Sequence, residues 1–448
     1  MRTEQGPKMR LSYLLPALVL AVAMGPARAD DLITVYRDAQ VSDPVYQAQR
    51  AIFEATVERL PQARSQYLPL IAGTASVFRN EVDRQIASDL SYTTKTYAVT
   101  LSQPVFRMQN WIAIGQARRQ VMQAEAVLAN AQMDLMLRVA AAYFDVLLAQ
   151  DNVALSQAQK NAISEQLAQA KRNFEVGTAT IVDTLEAQAR YDQSVAKEIF
   201  DKADLETKRR ALQVLLGKLP AYLAPLRDPL ELAPPEPNDV ETWVRTSEDS
   251  SFTIASAKAN FDFFSDEVAR QRAGHLPTLD LSGNYTYADN PSNASPGIIG
   301  PVTNSTSVGV VLSIPLYSGG LIQSRVREAL ANRTKAEQDL ENSRRTVAQN
   351  VRVNFLNVTA GIALVRALEQ ALTSTKSQLD STILGRDVGV RTSVDVLNAQ
   401  QSVFQARRDL QQARYNYLLS TLRLKAATGT LNDADIEAVN RTLQHGST

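Results

Sequence analysis

Two acids stand at matching places in this chain, Asp183 in Thr180-x-x-Asp183 and Asp395 in Thr392-x-x-Asp395, 212 residues apart. A threonine followed three residues on by an acid can open a helix. The hydroxyl accepts from a backbone N–H of the first turn, and the carboxylate accepts from the threonine's own N–H. Helix capping is therefore the first chemistry to assign to both acids. Arg391 lies four residues before the second acid. Catalysis has little to work with. The only histidines are His275 and His445, cysteine is absent, and no nucleophile or metal-ligand constellation is visible. His275 falls at a helix-to-strand joint and reads as structural. The expectation is a protein that is not an enzyme, with no cofactor and no metal.

The elements that must position these residues are written twice. Asp31-Leu32 and Tyr36 open a helical stretch running to Tyr67-Leu68-Pro69, and Asp239-Val240 and Val244 open another running to His275-Leu276-Pro277, 208 residues later. Gln103-Pro104-Val105-Phe106 answers Ile314-Pro315-Leu316-Tyr317 at an offset of 211. Ala142-Tyr143, Val176-Gly177, Asp183 and Gly217 answer Asn354-Phe355, Val388-Gly389, Asp395 and Gly429 at 212. An insertion inside a packed helix would rotate everything after it by about 100°, so the constant offset suits long helices. Residues 116–176 contain neither Pro nor Gly and are rich in helix formers. They predict a helix of about 90 Å. Gly177 breaks it, and Ile181 to Leu216 reads as a second. Leu321 to about Leu384 and Val394 to about Ala427 are the counterparts. Leu128, Leu135, Val139 and Val146 form a narrow, coiled-coil-like stripe. The organisation expected is a leader at 1–29, a first repeat at 30–218, a Pro-rich connector at 219–238, a second repeat at 239–430 and a C-terminal segment at 431–448.

The leader follows from Arg2, Lys8 and Arg10, the apolar run Leu11 to Met24, and the small-x-small site Ala27-Arg28-Ala29. Its removal takes four bases and one acid from 47 of each and leaves 43 against 46, a net charge of −3. Nothing in that balance favours nucleic acid. An exported chain without cysteine has no disulfides and relies on burial and oligomerisation. No stretch after Ala29 is apolar for some 20 residues, so entry into a membrane would require strands.

Four segments alternate as strands do. Thr278 to Tyr287 sets Leu279, Leu281, Gly283, Tyr285 and Tyr287 against Thr278, Asp280, Ser282, Asn284 and Thr286. Val308 to Ile314, Thr96 to Ser102 and, more weakly, Ile71 to Phe78 do likewise. Each is about as long as a tilted membrane strand. Leu281 and Val310 are expected to face lipid, and Asp280 and Asn284 a lumen. Polar loops, Asn80–Ser91 and Ala288–Asn304, separate the strands of each pair. A sheet in hydrocarbon must close, and bacterial barrels need about eight strands or more. Four strands per chain therefore imply several chains. A periplasmic coiled-coil structural or adaptor protein would explain the helices but not the paired strands.

Gly274-His275-Leu276-Pro277-Thr278-Leu279-Asp280-Leu281, the joint Ile314-Pro315-Leu316-Tyr317-Ser318-Gly319-Gly320 and the run Val388-Gly389-Val390-Arg391-Thr392-Ser393-Val394-Asp395-Val396-Leu397-Asn398-Ala399 resemble the TolC family of outer-membrane channel proteins. So do Ala142-Tyr143-Phe144, Gln157-Ala158-Gln159-Lys160 and Ala413-Arg414-Tyr415-Asn416-Tyr417-Leu418. The resemblance covers roughly Asp31 to Val439. It implies an α+β membrane protein: a homotrimeric twelve-stranded barrel in outer-membrane lipid, continued by a helical periplasmic tunnel closed at the helix turns. It implies docking on a periplasmic adaptor (membrane fusion) protein and an inner-membrane ABC or proton-driven transporter, for type I secretion or multidrug efflux. Val176, Gly177, Thr178, Val388 and Gly389 would form the adaptor-docking turns. Arg391 matches the family's gate arginine, Asp183 an acid that it reaches, and Asp395 an inward-facing acidic ring. Asn398 stands where relatives often carry a second acid, and Arg386 where a gate tyrosine is common.

Overall fold

The computed structural model describes residues 31–83, 89–178, 180–220, 222–291 and 302–444, apart from the side chains of residues 82 and 90. The leader, His445 and parts of both polar loops lie outside the described residues. Each repeat contributes short helices, two strands and two long helices. The first repeat has α1 (Leu32–Ser42), α2 (Pro44–Val57), α3 (Arg59–Ser65), β1 (Leu70–Val82), β2 (Leu90–Phe106), α4 (Met108–Glu175) and α5 (Ile181–Leu216). The second has α6 (Val240–Ser250), α7 (Phe252–Arg272), a 3-10 turn at Ala273–His275, β3 (Thr278–Asp289), β4 (Val302–Ser313), α8 (Leu321–Asp387) and α9 (Ser393–Thr428). A short α10 (Asp433–Asn440) follows.

The long helices exceed the expectation. With 68 residues, α4 is about 100 Å long at 1.5 Å per residue. The leading helical stretches are instead broken. The first divides at Asp43, whose carboxylate caps α2 by accepting from the Tyr46 N–H at 3.0 Å, with Pro44 at the first helical position. The second divides at Ser251, 208 residues later, so the break is part of the repeat. Asp43 is buried and receives two bonds from Arg138, at 2.8 and 3.3 Å. Burial pushes its carboxyl up, but the Arg138 guanidinium and the Tyr46 N–H outweigh this and hold it below the usual range.

The strands form one antiparallel sheet in the order β1-β2-β3-β4. Register sorts the side chains by face. Ile71, Leu101, Gly283 and Val308 share one row, and Val99 and Tyr285 lie on the same face. Tyr97 and Tyr287 also lie there, with ring centroids 6.0 Å apart. Ala72, Thr100, Asn284 and Ser307 make a row on the other face. Leu281 pairs with Val310 on the apolar face, and Asp280 and Asn284 lie opposite, as the alternation predicts. The strands run to 12, 13 or 17 residues, longer than expected, and take in the ends of both loops. Pro104 is tolerated in β2 because the register shifts between Pro104 and Phe106. Arg107, which follows β2 directly, binds Asp280 through two bonds of 2.8 and 2.7 Å and fixes the sheet to the helices.

The core sits as a belt at mid-height. Leu135, Val139, Tyr143 and Val146 of α4 meet Leu32 and Tyr36 of α1, Leu212 of α5, Val358 of α8 and Leu422 of α9. Leu128, the first residue of the expected stripe, is only half-buried. The connector after α5 wraps this belt. Tyr143 donates to the Ala224 carbonyl at 3.1 Å, and Tyr417 to that of Ala233 at 2.9 Å. The C-terminal segment pairs with it, Arg227 N donating to Thr442 O and Gln444 N to Pro225 O. Below the belt the helices stand in the row α5-α4-α9-α8, and above it in the row α2-α4-α7-α8. One expectation needs amending. An 18-residue window of α8 reaches a mean hydropathy of 1.3 with only 22% of it buried, so by composition α8 is apolar enough to cross a membrane. Val353, Leu356 and Leu364 supply an exposed ridge along it. The physical reason is position: α8 is the flank of the row, and the ridge lies on the side that α6, α7 and α9 leave uncovered among the described residues.

Candidate functional site: the two helix turns

Both hairpins end in the same turn, built from the same local chemistry. After α4, Val176 closes the helix, Gly177 adopts φ +77°, and Thr178 N returns a bond to Asn173 O at 2.8 Å. After α8, Val388 closes the helix, Gly389 adopts φ +81°, and Val390 N bonds Gly385 O at 2.8 Å. A left-handed residue at this position satisfies the last carbonyls, and glycine adopts it without a Cβ penalty. Both glycines face open space, so conformation alone selects them.

The next helices open on the expected capping boxes. Thr180 N donates to Asp183 Oδ2 at 3.0 Å, and Asp183 N donates back to Thr180 Oγ1 at 3.3 Å. Thr392 N and Asp395 make the same exchange at 2.9 and 3.1 Å. The Thr392 backbone and hydroxyl hydrogen bonds, with Arg391 nearby, lower the Asp395 carboxyl below its ordinary range. The turns expose apolar side chains, Val176 at 73%, Val388 at 65% and Val390 at 75%.

Arg391 lies back over α8. Its Cγ stands 2.8 Å from where a Cβ on Gly385 would be, and its N–H bonds Gly385 O at 3.1 Å. Among the described residues of one chain it makes no ion pair, so Asp183 and Arg391 are not joined within it. Arg386 pairs with its neighbour Asp387 at 2.7 Å. Asn398 accepts from Arg190 Nη2 at 3.2 Å, and Gln401 accepts from Nη1 at 3.2 Å. Gln166 reaches Gln400 at 3.0 Å. These ties cross between the α4–α5 hairpin and α9. Arg190 was not singled out by sequence, because its partners on α9 come from the other hairpin and no spacing along α5 points to them.

A model of the family described as outer membrane efflux protein matches residues 35–218 and 243–430. The chain is 35% identical over 439 residues to the outer membrane protein TolC of Vibrio cholerae, covering 97% of this chain and 99% of that protein. It is 29% identical to the alkaline protease secretion protein AprF of Pseudomonas aeruginosa, over 98% of this chain and 92% of that one. Among solved structures it superposes on the Campylobacter jejuni CmeC outer membrane channel with a TM-score of 0.77 at 16% identity, covering 98% of both chains.

Proposed function

Because the chain belongs to the outer membrane efflux protein family, we propose that it works as a homotrimer whose three sheets close into one twelve-stranded barrel. It is an outer-membrane export channel of type I secretion or efflux. The observation that carries the trimer is the sheet: one apolar face, one hydroxyl-lined face and two open edges, β1 and β4. Open edges in hydrocarbon leave backbone groups unpaired, and joining β4 of one copy to β1 of the next removes them. The helix rows support the same closure. Their flanks are α8 on one side and α2 or α5 on the other, and both carry exposed apolar residues, Val353 and Leu356 facing out from α8, Ile199 and Val214 from α5.

In this arrangement the outer face meets lipid, the helices line a periplasmic tunnel, and the turns close its far end. Arg391 of one copy pairs with Asp183 of a neighbour, which is supported by its making no ion pair among the described residues of its own chain. Asp395 contributes to an inward acidic ring. Val176, Gly177, Thr178, Val388 and Gly389 receive a periplasmic adaptor protein, which joins the channel to an inner-membrane transporter. The first 29 residues direct export and are removed. Residues 30–218 and 239–430 are the two halves of each subunit, with 219–238 joining them and 431–448 following.

The test exploits the absence of cysteine. Gly73→Cys in β1 and Thr306→Cys in β4 lie on the same face at opposite edges. A bifunctional thiol reagent applied to the outer membrane should give covalent dimers and trimers and nothing larger. Monomers alone, or a ladder beyond three, would exclude the closed trimer.

A further inference from the structure

Below the belt, few side chains join the two hairpins of a chain. Among the described residues, the side-chain hydrogen bonds crossing there from α4–α5 to α8–α9 are Gln166 to Gln400 at 3.0 Å and the two donated by Arg190. Arg190 spans the gap between α5 and α9, helices that scarcely touch. Its Nη2 donates to Asn398 Oδ1 and its Nη1 to Gln401 Oε1, both at 3.2 Å. Asn398 and Gln401 are three residues apart and so share one face of α9. A planar guanidinium fork suits two acceptors set side by side in this way. Glu186, one turn earlier on α5, stands 3.9 Å from Nη2 and favours the same side-chain direction. Packing alone does not fill this seam. Ile163 of α4 and Leu397 of α9 are buried beside the arginine, yet a cavity of about 190 Å³ remains, lined by these residues with Ser194, Gln401 and Phe404.

The repeat is broken at this clasp. At the offset of 212, Arg190 is answered by Ser402 and Asn398 by Glu186. Ser402 turns its hydroxyl back onto its own helix, donating to Asn398 O at 3.0 Å. It is too short to reach across to another helix as Arg190 does. The two hairpins therefore do not carry equivalent clasps, and the seam inside a chain differs in chemistry from a seam between copies. We propose, resting on the trimeric channel reading above, that Arg190 is the positioning residue that holds the seam within each chain shut at the closed end, and that this seam is released independently of those between copies. Both of its bonds are charge-assisted, the stronger class of hydrogen bond. Arg391 and Asp183 lie outside the clasp and serve the joints between copies.

The test records the single-channel conductance of full-length trimers, purified in detergent and inserted into planar bilayers. Arg190→Leu should raise the mean conductance at least twofold. Asn398→Leu with Gln401→Leu, which removes both acceptors, should do the same. Combining all three changes should add nothing further, because either side alone already opens the clasp. Combining Arg190→Leu with Arg391→Ser should instead exceed either change alone. Bridging Gln166→Cys to Gln400→Cys with a short bifunctional thiol reagent should return an Arg190→Leu trimer to the parent conductance. If Arg190→Leu gives no heat-modifiable trimers, Arg190→Gln takes its place with the same expectations. A parent trimer without conducting steps would overturn the channel reading and the clasp with it. Parent steps with unchanged conductance in the Arg190 variant would overturn the clasp alone. So would additive effects of Arg190 and its acceptors, since mere loss of a positive charge from the wall acts equally with or without Asn398 and Gln401. An Arg190→Leu, Arg391→Ser trimer no more conductive than either single variant would overturn the independence of the two seams.

Discussion

Replacing Val99 with arginine and, separately, its neighbour Thr100 with arginine tests the two-faced sheet at its centre. Both residues lie on β2, an inner strand, so neither change disturbs an edge. Val99 stands in register between Gly73 and Tyr285 on the apolar face, and Thr100 between Ala72 and Asn284 on the hydroxyl face. Asn284 is close to the middle of the twelve residues of β3, so both positions fall near the midplane of a barrel built from these strands. An arginine facing hydrocarbon at that depth costs about 2–4 kcal/mol per chain, and one facing a watery lumen costs little. In the proposed trimer the change is carried three times, so Val99→Arg would lose about 6–12 kcal/mol per assembly if the sites are independent. Leu281, only the fourth residue of β3, lies nearer the helix end, and Leu281→Arg should cost less than Val99→Arg. Urea titration of heat-modifiable trimers in lipid vesicles measures the difference. Equal losses at Val99 and Thr100, or a larger loss at Thr100, would refute the facing of the sheet.

Replacing Arg391 with serine should raise single-channel conductance in planar bilayers by loosening the turns. Asp395→Ala should instead reduce block by multivalent cations added from the helix end. If both leave conductance and block unchanged while lowering thermal stability, capping is the whole role of these turns. Asp43→Ala should destabilise by about 2.5–4 kcal/mol, combining a charge-assisted bond of about 1.5–3 with a helix cap of about 1. The Asp43 carboxyl is depressed in the folded chain. Its contribution is therefore complete above the unfolded value near 3.9 and fades as pH falls through the folded value. Urea midpoints of parent and variant should begin to converge as pH falls below about 4, and a constant gap down through the folded value would contradict the pairing with Arg138. Gly389→Ala should cost about 1 kcal/mol through its positive φ alone, since the added methyl meets open space. A much larger loss in thermal melts would mean that a neighbouring copy closes on this turn.

The long helices were legible because their signals are local. Residues 116–176 lack Pro and Gly, and the Thr-x-x-Asp pairs mark where the return helices begin. The strand faces were legible because alternation reports side-chain direction residue by residue. The break at Ser251 was not, since no proline follows it and its equivalence to Asp43 emerges only when both are seen. Arg190 was missed for a different reason. Its bonds to Asn398 and Gln401 depend on how two hairpins lie side by side, which no spacing along one helix encodes. The orientation of Arg391 also escapes sequence, because it depends on a bare residue six positions earlier: only with Gly385 lacking a Cβ can the arginine lie across α8.

The belt also makes the long helices into levers. The main core ends well above the turns, and nearer the tip the buried apolar cluster consists of Leu167, Ala170 and Ala187, with Tyr191 against it. Tyr143, inside the belt, is 32 residues from the end of α4 at Glu175, an arm of about 48 Å. A swing of about 5° at the belt therefore carries the turn about 4 Å sideways, with the helix itself intact. Val396, Leu397 and Ala399 are also buried at that end, and the Arg190 and Gln166 ties cross there, so these are the contacts that such a motion would have to shift. In the proposed trimer, a small rotation at mid-height would be read out at the turns as a change in aperture.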